Sequence, residues 1–220
     1  MAAERRVASQ DRGRETQQRI LDGAAEVFAS AGYGSASLRS ISEASGVSLG
    51  AINFHFRSKE QIARAVIEEQ HARTDALARE VVAAHSTTFA RLIHLSFAAS
   101  VQMHADPVVQ AGVELTLQVG DFLDPSARSA DGWDRTVADQ IALGLERGEL
   151  ESDLGAAALA ETFLACFTGA QIRSRVRDGR RELLPAVRDL WLLILPGVVA
   201  PGHRAAARRA VDEALAAHAA

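Results

Sequence analysis

Little in this sequence can cross-link it, bind a metal through sulfur or span a membrane. Its 220 residues include one cysteine (Cys166), one tyrosine (Tyr33), one lysine (Lys59) and five prolines. A single thiol excludes an intrachain disulfide framework and a Cys-rich zinc site. No apolar run reaches the ~18 residues of a membrane span, and the longest, Leu190 to Ala200, is broken by Pro196. The first residues are polar and hold no apolar signal segment, so a cytoplasmic protein is the expectation. The alternating β-branched and aromatic pattern of strands is nearly absent. A net charge of −4 gives no global sign of a polyanionic partner. What is abundant is alanine, at 43 residues. Alanine is the best helix former, and the chain is long enough to bury a core without staples, so the expected class is all-α. Arginine outnumbers lysine 23 to 1, which we read as codon bias.

The periodicity divides into helices. Residues 1–13 are polar and aperiodic and read as a mobile arm. Ile20, Leu21, Ala24, Val27, Phe28 and Ala31 recur at helical spacing over residues 14–32, with Gly32 as the stop. Ser37 then caps a short helix carrying Leu38, Ile41 and Ala44, ended by Ser45-Gly46. Ser48 caps another over Gly50 to Phe56. Two short helices joined by a Gly-containing turn form a helix-turn-helix, with Ile41, Ala44 and Val47 expected to pack them together. Ser58 caps a long helix reaching about Ala84. Further helices are expected from Phe89 to Asp106-Pro107, over Val108 to Val119, from Trp133 to Gly148, over Leu154 to Val176, over Glu182 to Leu195 and over His203 to His218. Residues 120–131 read as a loop.

The net charge hides a division. Residues 1–64 carry 9 Lys+Arg against 7 Asp+Glu, while the remainder carries 15 against 21. The part that holds the helix-turn-helix is therefore at +2 and the rest at −6, as phosphate neutralisation would want. The ordered run Ile41, Ala44, Gly46-Val47-Ser48, Gly50, Phe54-His55-Phe56, Ser58-Lys59-Glu60, with Ile20-to-Phe28 and Gly32-Tyr33 before it, resembles the DNA-binding domain of the TetR family of repressors. The resemblance covers about 50 residues and implies an N-terminal helix-turn-helix domain over 1–57. A helical ligand-binding and dimerisation domain would fill 58–220. It implies DNA contacts from Arg14, Ser37, Leu38, Arg39, Ser48, Leu49, Gly50, Asn53, His55 and Lys59. Exposed helix N-termini and hydroxyls suit phosphate, and Lys59 is expected to reach a phosphate. Asn53 stands where the family usually has Tyr, and Leu49 where it often has Lys. Asn53 can pair with adenine or simply meet phosphate or solvent, and Leu49 can touch a thymine methyl.

Beyond the head, Asp106 to Leu115, Gly132-Trp133, Glu149 to Leu154 and Phe167 to Gln171 resemble the γ-butyrolactone autoregulator receptors, which control antibiotic production in response to small diffusible signals. That resemblance implies a small lactone- or furan-like effector and a ligand wall from Gln70, Phe97, Val113, Leu117, Trp133, Phe163, Cys166 and Phe167. Each has a plainer reading: Trp133 as a core aromatic, Gln70 as an exposed helix residue, Cys166 as a small buried hydrophobe. The family also implies a homodimer through the last apolar helices, with Leu183, Val187, Leu190, Trp191 and Ile194 at the interface. Two reading helices one DNA turn apart, roughly 34–36 Å, then match a palindromic operator. A repressor of an efflux or catabolic gene answering to a drug or metabolite is the alternative.

No enzyme signature competes. The sequence has no Gly-rich phosphate loop, no His-Glu-x-x-His and no nucleophile elbow. His85, His94 and His104 lie nine and ten apart, which does not make them neighbouring ligands. No cofactor is expected apart from the effector. A protein-binding scaffold would predict no retention on DNA at physiological salt.

Overall fold

No proline occurs before Pro107, so little interrupts helix formation in the first hundred residues. The structure, a computed structural model, describes residues 2–123 and 132–218, with side chains for 12–118 and 132–218. Helix α1 spans Ala2–Ser35, broken at Gly32, whose φ of 73° and ψ of 162° lie outside the helical region. The expected stop at Gly32 is thus present. The expected arm is not: the helix already begins at Ala2. Ala, Glu, Arg and Gln are good helix formers even where no apolar face marks the helix.

Helix α2 (Leu38–Ser45), α3 (Leu49–His55), α4 (Lys59–Ala84), α5 (Thr88–Ala105) and α6 (Pro107–Leu123) follow. Then come α7 (Gly132–Glu146), α8 (Ala156–Asp178), α9 (Leu183–Val198) and α10 (Arg204–His218), with a 3-10 turn at Pro201–His203. Helix α6 runs to Leu123, so the loop expected from residue 120 starts later, and the rest of it, 124–131, lies outside the described residues. Pro196 sits inside the last turn of α9 rather than ending it. Among the described residues no helix is long and apolar enough to cross a membrane.

The helices form two compact units. The first comprises α1, α2, α3, α4 as far as Arg73, and α6. Ile20, Phe28, Ile41, Val47, Ile52, Phe56, Ile62 and Val66 form its core together with Val108, Ala111 and Leu115 of α6. This unit extends past the expected boundary at residue 57 because α6 fills the same core. Arg73 Nη1 donates to both carboxylate oxygens of Asp106 at 2.9 Å. Asp106 Oδ1 in turn accepts from the Val108 N–H at 2.9 Å and caps α6. At Gly112 a Cβ would come within 2.4 Å of Gln70 Cβ, so glycine is needed for α6 to lie on α4.

The second unit comprises α4 from Thr74, α5 and α7 to α10. Its core includes Phe89, Ile93, Phe97, Val137, Ile141, Phe163, Phe167, Val187, Trp191 and Val211. The buried indole of Trp191 donates to Ser96 Oγ at 2.7 Å. The carboxylate of Glu149 accepts from both the N–H and the hydroxyl of Thr88. The bridge Leu150–Val199 joins the chain after α7 to the end of α9. His85 and His94 stack with ring centroids 3.9 Å apart. Burial first, then the neighbouring His85 and His218, push the His94 pKa down to about 4.

Candidate nucleic-acid interface

Hydroxyl caps set the two short helices. Ser37 Oγ accepts from the Ser40 N–H at 3.1 Å, and Ser40 Oγ accepts from the Ser37 N–H at 3.0 Å. This reciprocal box satisfies donors that a helix start leaves open. Gly46 then takes φ 62°, ψ 21°, the left-handed conformation that ends α2. Arg19 Nη2 donates to the carbonyls of Ser45 and Gly46 at 3.2 Å each, and Ser42 Oγ donates to Val47 O at 2.6 Å. Ser48 Oγ accepts from the Ala51 N–H at 3.3 Å and starts α3. The turn between the helices is therefore held by side chains of α1 and α2 as well as by backbone.

Helix α3 buries Ile52 and sets its other faces outward. Leu49, Gly50, Asn53 and Phe54 are exposed, His55 is half-buried, and a Cβ on Gly50 would meet nothing within 4 Å. Gly50 therefore serves no packing need of the chain itself. Phe54 is 85% exposed, and its ring meets that of His55 edge-on at 5.3 Å. Phe54 belongs to the motif, yet the family resemblance assigns it no DNA contact. Its place opposite Ile52 on a helical wheel is the signal that finds it. Helix α3 holds no lysine or arginine, and its exposed residues Leu49, Asn53 and Phe54 are apolar and amide in character.

Around α3, Arg14, Ser37, Arg39 and Ser48 are exposed, and Leu38 is half-buried. Arg39 Nε pairs with Glu43 at 3.1 Å, with side chains 87% and 69% exposed. A pair so open to water contributes little and yields readily to a phosphate. Two expectations need correction. Ala44 is exposed, so Ile41 and Val47 pack the short helices without it. Lys59 does not extend outward: Nζ donates to the carbonyls of Tyr33 at 2.6 Å, Ala36 at 2.9 Å and Gly34 at 3.4 Å, and lies 4.4 Å from the centre of the Tyr33 ring. Its three N–H donors are matched by three carbonyls, so it ties the end of α1 to the head of α4.

The expected ligand wall falls on both units. Gln70, which is buried, half-buried Val113 and Leu117, 49% exposed, belong to the first. Phe97, Trp133, Phe163 and Phe167 belong to the second. There the structure brings aromatics together: Trp133 lies 6.0 Å from Phe167, Phe167 6.3 Å from Phe163, and Phe163 5.3 Å from Trp191. Trp133 is half-buried and packs against this core, while Phe97 is fully buried within it. Cys166 does not join them: it is exposed, about 100° round α8 from Phe167. An open cleft of about 300 Å³ between Ala78, Val82 and Ala83 of α4 and Thr136, Asp139 and Gln140 of α7 holds none of the expected residues. Among the described residues no cluster of His, Cys, Asp and Glu could hold a metal ion.

Of the expected interface residues, Leu183, Val187 and Trp191 are at most 2% exposed inside the chain's own core, so they offer no surface to a partner. Helix α9 is apolar on nearly every side, and periodicity alone does not reveal which side faces inward. Leu190 and Ile194 are half-buried, and Leu193, not singled out from the sequence, is 78% exposed.

Comparison with known proteins follows the same division. Residues 20–66 match the model of bacterial regulatory proteins of the tetR family, and residues 105–190 match that of the tetracyclin repressor-like C-terminal domain. The A-factor receptor protein of Streptomyces griseus is 31% identical over 196 residues, which cover 89% of this chain and 68% of that protein. The structure of TylP, a TetR regulator from Streptomyces fradiae, superposes with a TM-score of 0.71 at 30% identity, covering 92% of this chain and 99% of that one. A γ-butyrolactone receptor described as ArpA-like superposes with a TM-score of 0.77 over 93% and 99% of the two chains. Its 21% identity speaks for the fold. With a helix-turn-helix capped and exposed as described, and a likeness that continues through the helical body, the chain belongs to the TetR family of bacterial regulatory proteins.

Proposed function

We propose that this chain is a cytoplasmic, ligand-responsive transcriptional repressor. It binds a palindromic operator as a homodimer and releases it when a small lactone-like effector binds. The observation that carries the reading is the extent of the likeness to the A-factor receptor protein, 196 residues, well past the DNA-reading head. The chain acts as a regulator rather than an enzyme, and its activity needs no cofactor. Leu49, Gly50, Asn53 and Phe54 face the major groove, while Ser37, Ser48, Arg14 and Arg39 meet phosphates.

The effector's apolar part rests on Trp133 with Phe163 and Phe167, where a half-buried indole meets a stacked aromatic floor. Release is a shift between two populations. A 100-fold loss of operator affinity needs about 2.7 kcal/mol of difference in effector affinity between the two states. A Trp133→Ala variant should bind operator as the parent does, yet need at least about tenfold more lactone for release, about 1.4 kcal/mol. A gel-shift titration reads both. An unchanged lactone response in that variant rejects the assignment of the effector to Trp133.

A further inference from the structure

We infer that α3 selects its operator by the 5-methyl groups of thymine, seated in a notch over Gly50 against the Phe54 ring, and not by charged contacts to guanine. This rests on the operator binding proposed above and adds the chemical group that is read. The exposed residues of α3 are Leu49, Gly50, Asn53 and Phe54. At 100° per residue they fill one arc of about 140° that excludes the buried Ile52. On the helix surface Gly50 has Asn53 and Phe54 as its neighbours one turn on, and Leu49 has Asn53. Three side chains thus stand round a position that has none.

The chain itself has no use for the gap. A Cβ on Gly50 would meet nothing within 4 Å, and alanine is the better helix former. A group that approaches from outside does have a use for it, because the space left by an absent Cβ is that of one methyl. The wall of the notch is apolar and steadied. Leu49 is 45% exposed, and neither Leu49 nor Phe54 joins the core of the first unit. The Phe54 ring rests edge-on against the half-buried His55, which restricts its rotation.

Chemistry selects the occupant. In the major groove thymine is the base that presents a methyl group, whereas guanine presents two acceptors that arginine or lysine matches. Helix α3 holds neither of those residues. The Asn53 amide makes no hydrogen bond among the described residues, so it is open to pair with N6 and N7 of adenine, the partner of thymine. A·T pairs therefore offer both groups that this face takes: an amide match on the purine and a methyl on the pyrimidine. The exposed Arg14, Arg39 and Ser48 around the helix suit a groove lined by phosphate and not an apolar protein surface.

Deoxyuridine tests this directly, since it differs from thymidine only by the missing methyl. The full-length protein is titrated at fixed salt against a palindrome selected from random duplex DNA, with each thymine replaced in turn in both half-sites. At one step or more in each half-site the replacement should weaken binding by about fourfold per methyl, hence about fifteenfold for the symmetric pair. With a C·G pair at that step, 5-methylcytosine should bind about fifteenfold tighter than cytosine. Phe54→Ala should bind thymidine and deoxyuridine duplexes alike, and Gly50→Ala, whose Cβ takes the place of the methyl, should shrink the preference. Both variants should keep the parent's helical content by circular dichroism. Equal affinity for every substituted duplex would overturn the methyl reading while leaving operator binding standing. A full preference retained by Phe54→Ala would overturn the seat assigned to the methyl. A parent protein that selects no DNA would overturn the methyl reading and operator binding together.

Discussion

The Lys59 ammonium donates to the carbonyls of Tyr33, Gly34 and Ala36, and the Tyr33 ring lies against it. Its contribution is therefore to stability, at about 1.5–3 kcal/mol for hydrogen bonds to a charged group. Lys59→Met should lower the thermal midpoint and leave the salt dependence of operator binding unchanged, because no phosphate contact is lost. A phosphate-binding lysine would instead reduce the slope of log affinity against log salt by about 1. Phe54 is the opposite case: at 85% exposure it supports little within the chain. Phe54→Ala should leave the melting curve unchanged and weaken operator binding by about tenfold, about 1.4 kcal/mol, in an anisotropy titration. The motif names both residues, yet it does not say which of them faces inward. That depends on the carbonyls at the end of α1, which come near Lys59 only through the fold.

At the scale of elements, the helix-turn-helix is legible because its determinants are local. Ser37, Ser48 and Ser58 cap at hydrogen-bond distance, and Gly46 ends α2, all within a few residues of the helices they serve. Gly23 is less legible, since its reason lies 22 residues away. A Cβ there would fall 2.5 Å from the Ser45 backbone nitrogen, so α1 and α2 touch at this point. Gly23→Ala should therefore destabilise by about 1–3 kcal/mol through overpacking, although alanine is the better helix former. Denaturant unfolding measures this, and a stabilised variant would contradict the close crossing. The helix starting at Ala2 and the inward side of α9 escaped prediction for related reasons. A helix polar all round and a helix apolar nearly all round both lack the one-sided pattern on which periodicity depends.

For the whole molecule, the charge division and the likeness to the A-factor receptor protein agree. Residues 1–64, which hold the helix-turn-helix, stand at +2 and the remainder of the sequence at −6, the balance that attraction to phosphate favours. The all-α class and the N-terminal helix-turn-helix were readable from composition and motif order. The distribution of the expected ligand residues over two compact units was not, since helical spacing places a residue on a face but not against a neighbour. In the proposed function an effector controls operator affinity. The most direct test is the affinity of the full-length protein for a palindrome selected from random DNA, measured at fixed salt with and without a synthetic alkyl γ-butyrolactone. The expected result is specific, salt-sensitive binding that saturating lactone weakens by about 100-fold, about 2.7 kcal/mol. Tight operator binding that no lactone alters would contradict it.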